Sequence, residues 1–170
     1  MVPEGADALP AEKLRILVGD DLRDATDRAV STAFEFGASS RGSVLELFID
    51  TMNAEVFADY IRSAIRLAHA RGETMASAEE IQEMILKNWR DKLSGRCLTG
   101  KRKLQSSGGA FEEVIATGKI AEVLEAKITA FKPDLLVFGR HRGIHTEFSQ
   151  LGQLTLFAML ALHRPILIVP

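Results

Sequence analysis

FEEVIATGKIAEVLEAKITAFKPDLLVFG, Phe111 to Gly139, decides the fold class. With Ala110 before it, AFEEVIA is a short run with β-branched residues, and TGK follows as a turn. Ile120, Val123, Leu124, Ile128 and Phe131 then fall at the spacing of one helix face. Pro133 closes that helix, because the residue before a proline is pushed out of the helical region. DLLVFG is a continuous apolar run of the kind buried on both faces of a parallel sheet. Strand, helix and strand in succession make a βαβ unit, so the two strands should lie parallel.

The same alternation continues outward. RILVG, Arg15 to Gly19, reads as a buried strand ending at the turn DDLRD. From Asp24 to Phe36, Ala29, Val30, Ala33 and Phe34 give a helix face, with Gly37 as its stop. SVLELFI, Ser43 to Ile49, is the second strand. Phe57, Tyr60, Ile61, Ala64, Ile65 and Ala68 mark a helix ending near Gly72, and Ile81, Met84, Ile85 and Trp89 another ending near Ser94-Gly95. SGRCLTGKRKLQSSGG, Ser94 to Gly109, lacks periodicity and reads as a loop. After Gly139, Leu151 to Leu162 is apolar nearly all round and predicts a helix covered on more than one side, and PILIVP is a fifth strand. The expectation is an α/β fold: an open five-stranded parallel sheet with helices on both faces. A polar tail, 1–13, precedes one domain, 14–170, with a long helical and basic-loop connection at about 53–109.

Composition narrows the function. The chain has 170 residues, 46% of them hydrophobic, enough for one substantial core. A net charge of -2 argues against a general attraction to nucleic acid or anionic membrane. Cys97 is the single cysteine, which excludes an intrachain disulfide and a cysteine-based metal framework and suits a reducing cytoplasm. His141 and His145 stand four apart but lack a further ligand at metal spacing. MVPEGADALPAEK lacks the pattern of a secretory signal, and the longest apolar run, Leu154 to Leu162, falls far short of a membrane span of about 20 residues. No nucleophile has a base partner in sequence, so no reaction is assigned. The segment with Lys92, Arg96, Lys101, Arg102 and Lys103 reads as a solvated basic loop, with an interaction arm for RNA or an acidic protein as the alternative.

In an open parallel sheet, ligands bind outside the carboxyl ends of the strands where strand order reverses. Gly19-Asp20-Asp21, Asp50 and the Gly139 loop stand at such ends, and together they suggest a mononucleotide. A carboxylate there can accept hydrogen bonds from a ribose or adenine edge, and a glycine turn before a helix can offer N–H groups to phosphates.

DLLVFG, the Gly139 loop, Gly152 and the RPILIV ending resemble the C-terminal half of the universal stress protein family, and RILVGDD resembles its opening strand and adenosine-contacting aspartate, which the resemblance places at Asp21. The resemblance runs from Arg15 to Val169 and is weakest from Asn53 to Gly109. It implies a Rossmann-like sheet of order 3-2-1-4-5 and a homodimer through the last strand, Ile166 to Val169. It also implies ATP or another adenine nucleotide held by Gly19, Asp21, Gly139, Arg140, His141, Arg142, Gly152 and Gln153. In the family's nucleotide-binding members the pattern is G-x-x-G, nine residues, then G-[S/T]. Here Arg142 stands at the second glycine and Gln153 at the hydroxyl position, although Arg140, His141, Arg142 and His145 can meet an anion with side chains. Three readings follow. The first is a stress-response regulator that acts by dimerising and binding, with weak or absent ATP binding and no enzymatic activity. The second is an ATP, ADP or AMP switch with the phosphates on the 139–153 loop and, at most, slow hydrolysis. The third is an interaction module working through the basic loop 92–103.

Overall fold

The computed structural model describes residues 13–51, 54–140 and 153–170. Its elements are β1 (Arg15–Gly19), a 3-10 turn (Asp24–Thr26), α1 (Asp27–Ser40), β2 (Ser43–Asp50), α2 (Ala54–Ala70), α3 (Ala78–Gly95) and α4 (Leu98–Ser106). β3 (Ala110–Thr117), α5 (Ile120–Phe131), β4 (Leu135–Gly139), α6 (Gln153–Ala161) and β5 (Ile166–Val169) follow. The five strands pair in parallel in the order β3-β2-β1-β4-β5. This is the order that the resemblance implied.

Strand alternation divides the core into two layers. Ile16, Val18, Val44 and Val137 face α1 and Leu104 of α4, while Leu17, Leu45, Leu47, Leu136 and Phe138 face Leu124 and Ile128 of α5 and Ala158 of α6. Right-handed crossovers account for the division. The chain moves from β1 through β2 to β3 in one direction across the sheet, then returns past β1 to β4 and β5. Its connecting helices therefore change face.

Several expectations need correcting. α1 starts only after the 3-10 turn and continues past Gly37, ending where Arg41 takes a left-handed φ of 51°. Gly37 is a packing residue and not a stop: a Cβ there would lie 2.7 Å from Val44 Cγ2, so its bareness lets α1 lie close against β2. The segment from Ser94 to Gly109 is mostly helical, not a loop. α3 runs to Gly95, and after Cys97, at φ 49°, α4 begins. Its buried positions are Lys101 and Leu104, and a lysine in the buried stripe hid the helical period. On α6, Thr155 and Ala158 are buried, but Met159 and Leu160 are 49% and 85% exposed, so the described residues leave one side of the helix uncovered. Trp89 packs on Phe48, their ring centroids 5.3 Å apart, as a helix-packing residue should.

Candidate functional site

Strand order reverses between β1 and β4, whose carboxyl ends lie side by side with Gly19 opposite Phe138. A Cβ at Gly19 would come 2.4 Å from Leu154 Cδ2 and 2.8 Å from Phe138 Cδ1. Glycine here lets the start of α6 close over the strand end. Gly139 is the buried last residue of β4. Arg140, exposed, continues the ladder by donating its N–H to Val169 O at 2.9 Å. His141, Arg142, His145 and Gly152 lie outside the described residues, and Gln153 is the first residue of α6.

The turn after β1 is built from carboxylates. Asp20 keeps the inward parity of Ile16 and Val18, is 3% exposed, and donates its N–H to Leu47 O at 2.9 Å. Its Oδ1 accepts from Leu22 N at 2.8 Å, and Asp21 Oδ1 accepts from Arg23 N at 3.0 Å. Two successive Asx turns thus bend the chain away from the sheet. Leu22 sits at a φ of 60° between them, a conformation costing an ordinary side chain about 1–2 kcal/mol. The Thr26 hydroxyl lies 2.8 Å from Asp20 Oδ1, 2.9 Å from Asp21 Oδ1 and 2.8 Å from Arg23 O. Having one proton, it serves these acceptors in turn.

Arg96 reaches the turn from the link between α3 and α4. Its Nε lies 3.0 Å from Asp20 Oδ2, and its Nη2 pairs with Asp27 Oδ1. Nη2 also donates to Arg23 O at 2.8 Å and to Thr26 Oγ1 at 3.2 Å. The sequence reading named Asp20 only as a strand-end carboxylate and not as the buried residue that builds the turn, placed Arg96 in a solvated loop, and missed Thr26. The parity of Ile16, Val18 and Asp20 is a signal that could have found the first; Arg96 gives none, because its partners are some 70 positions away.

A second ionic cluster lies deeper, beneath β2 and β3. Glu46 is fully buried, and the Lys101 ammonium sits 3.0 Å from its Oε2 and 2.8 Å from Glu113 Oε1. Lys101 also donates to Leu93 O at 2.7 Å near the end of α3, and Ser94 Oγ lies 2.7 Å from Glu113 Oε2. The ammonium stands 5.6 Å and 5.8 Å from the ring centroids of Phe34 and Phe111. Glu46 Oε1 has no hydrogen-bond donor among the described residues. Burial pushes the Glu46 carboxyl up to about 7, against the pull of Lys101 and with smaller pushes from Asp20 and Glu113. Burial likewise raises the Cys97 thiol, which works against a reactive thiolate. Segment 92–103 is therefore no free basic loop: Arg96 and Lys101 are spent inside the fold, while Lys92, Arg102 and Lys103 remain exposed.

Among the described residues, no three His, Cys, Asp or Glu side chains are grouped to hold a metal, and no helix is long and apolar enough to cross a membrane.

The family model that matches residues 14–170 is that of the universal stress protein family. No curated protein sequence matches the chain. Solved structures do. A universal stress protein in complex with cAMP is 18% identical, covering 93% of this chain and 97% of its own, with a TM-score of 0.54. UspA from Lactobacillus plantarum is 13% identical over 94% of this chain and 99% of its own, with a TM-score of 0.58. A universal stress protein family protein from Arabidopsis thaliana with AMP bound is 18% identical over 92% and 90%, with a TM-score of 0.51. At such identities these likenesses show the fold.

Proposed function

Because the chain belongs to the universal stress protein family, we propose that it is a stress-response regulator that acts by binding, and that an adenine nucleotide occupies the carboxyl ends of β1 and β4. The observation that carries this reading is the turn after β1. There Asp21, at the position the resemblance gives to the adenosine contact, is set by Arg23 N and the Thr26 hydroxyl at the point where strand order reverses. The cAMP and AMP complexes of structurally similar proteins support an adenosine ligand. Gly139 and the 140–153 segment would face the phosphates, where Arg142 and Gln153 replace a glycine and a hydroxyl. The adenosine end should therefore supply most of the affinity.

The expected result in calorimetry is that AMP binds, that ATP with magnesium binds no more than about threefold tighter, and that Asp21→Ala weakens AMP by about tenfold or more, the worth of one hydrogen bond to a charged acceptor. No heat and no thermal shift at millimolar AMP or ATP would remove the reading. The proposal includes no catalytic group. It places the protein in the cytoplasm, which the lone Cys97 supports, and treats 14–170 as one domain.

A second reading concerns assembly. β5 is the edge strand beyond β4, its four residues are all only half-buried, and Leu160 of α6 is 85% exposed nearby in sequence. An apolar edge needs a cover, and a second copy paired through Ile166 to Val169 supplies one. Light scattering should give a dimer that Ile168→Lys converts to monomer. A monomeric wild type at tens of micromolar would end the idea.

A further inference from the structure

We infer that Arg96 is a positioning residue for the nucleotide site: from outside the turn it fixes the Asp20–Asp27 segment and offsets two of its carboxylates, Asp20 and Asp27. The inference rests on the nucleotide reading above and adds to it a residue from the least family-like part of the chain.

Charge is the first ground. Asp20, Asp21, Asp24 and Asp27 set four carboxylates within one turn, against which the turn itself supplies only Arg23. Arg23 is a weak counterion: its Nε lies 3.6 Å from Asp21 Oδ2 and its side chain is 74% exposed, so water and salt screen it. Arg96, 13% exposed, stands against Asp20 and Asp27 together. Arg96 thus offsets two of the four carboxylates beside the strand end to which a phosphate-bearing ligand would come.

Geometry is the second ground. Arg23 O is the acceptor on which the 3-10 turn closes, receiving Thr26 N at 3.0 Å, and Arg96 Nη2 donates to that same oxygen. Nη2 also reaches the Thr26 hydroxyl, the group shared between Asp20 Oδ1 and Asp21 Oδ1. Arg96 thus contacts both the backbone that shapes the turn and the side chain that orients Asp21. A planar guanidinium can meet these separate acceptors at once. A lysine ammonium in the same place keeps the charge and loses that span.

The test compares wild type, Arg96→Lys and the double variant Asp20→Asn with Arg96→Met. Two readouts are used: amide hydrogen exchange at Leu22, Arg23 and Thr26 in ligand-free protein, and AMP affinity well below the melting temperature. In Arg96→Lys the three turn amides should exchange about tenfold faster while Leu17 and Val18 hold their protection, with AMP weakened about tenfold. The double variant removes the buried carboxylate together with its counter-cation. It should recover the melting temperature without recovering turn protection or AMP affinity. Turn exchange within twofold of wild type in both variants would overturn the inference. So would faster turn exchange that merely tracks Leu17 and Val18, which marks a loss of global stability alone. If wild type fails to bind AMP, the nucleotide reading falls, and turn exchange still decides whether Arg96 holds the turn.

Discussion

A Lys101→Met variant is expected to lose about 3–5 kcal/mol of folding stability at pH 8, the cost of removing one partner from a buried ion pair. Methionine fills much of the same volume, so the loss isolates charge and hydrogen bonding from packing. Without the ammonium, Glu46 is left fully buried and Glu113 retains only the Ser94 hydroxyl among its described partners. Leu93 O loses its side-chain donor, and the Phe34 and Phe111 rings lose the cation between them. For a domain whose whole stability is about 5–15 kcal/mol, this brings the variant close to unfolding. Denaturant unfolding measures it, with the exposed Arg102→Met on the same helix as a control expected to stay within about 0.5 kcal/mol. A Lys101→Met loss under about 1 kcal/mol would show that the cluster contributes no net stability. The result also bears on function: neutralising Lys101, Arg102 and Lys103 together, as a test of an interaction arm, would confound lost stability with any lost contact to a partner.

The sheet was legible because its strands announce themselves by continuous apolar runs, and because Pro133 and the glycine turn punctuate the one βαβ unit that sets parallelism. Strand order came from the resemblance, since periodicity carries no information on which strands are neighbours. α3 ends where its periodicity predicted, whereas α4 was not legible. There the stripe facing the sheet includes Lys101, whose cost of burial is offset by two carboxylates on different strands, and such compensation is invisible until the strands are paired. Gly37 misled for a related reason: a glycine in a helical pattern marks either an end or a close approach, and only the position of Val44 decides.

Of the candidate site, the two strand ends that lie side by side were legible as a place, since the carboxyl ends of parallel strands are where ligands gather. The turn's internal order was not. It depends on Thr26, six positions from Asp20, and on Arg96, which comes from another helix pair. The carboxylate doublet reads in sequence as a ligand contact, and the fold uses it as both a turn former and an ion-pair partner.

Glu46→Gln should stabilise the protein, and by an amount that grows with pH. The folded carboxyl titrates at about 7 against a reference of 4.5, burial being the largest cause. Between those values the folded chain holds a proton that the unfolded chain has released. Stability from this group is therefore full below about pH 4.5, falls by up to about 1.4 kcal/mol per pH unit as pH rises, and is gone above about 7. Glutamine imitates the protonated side chain at every pH and lets Lys101 pair with Glu113 alone. The variant should lie within about 1 kcal/mol of wild type near pH 5 and exceed it by about 2–3 kcal/mol at pH 8, in paired denaturant titrations that cancel the other carboxylates. Lys101→Met should in turn cost less at pH 5 than at pH 8, because Glu46 is then already neutral, and should cost less still in the Glu46→Gln background, a coupling that the double-mutant cycle reads directly. A pH-independent difference, or a Glu46→Gln variant weaker than wild type at pH 8, would mean that the buried carboxylate is already ionised at pH 5 and its burial is offset in full by Lys101.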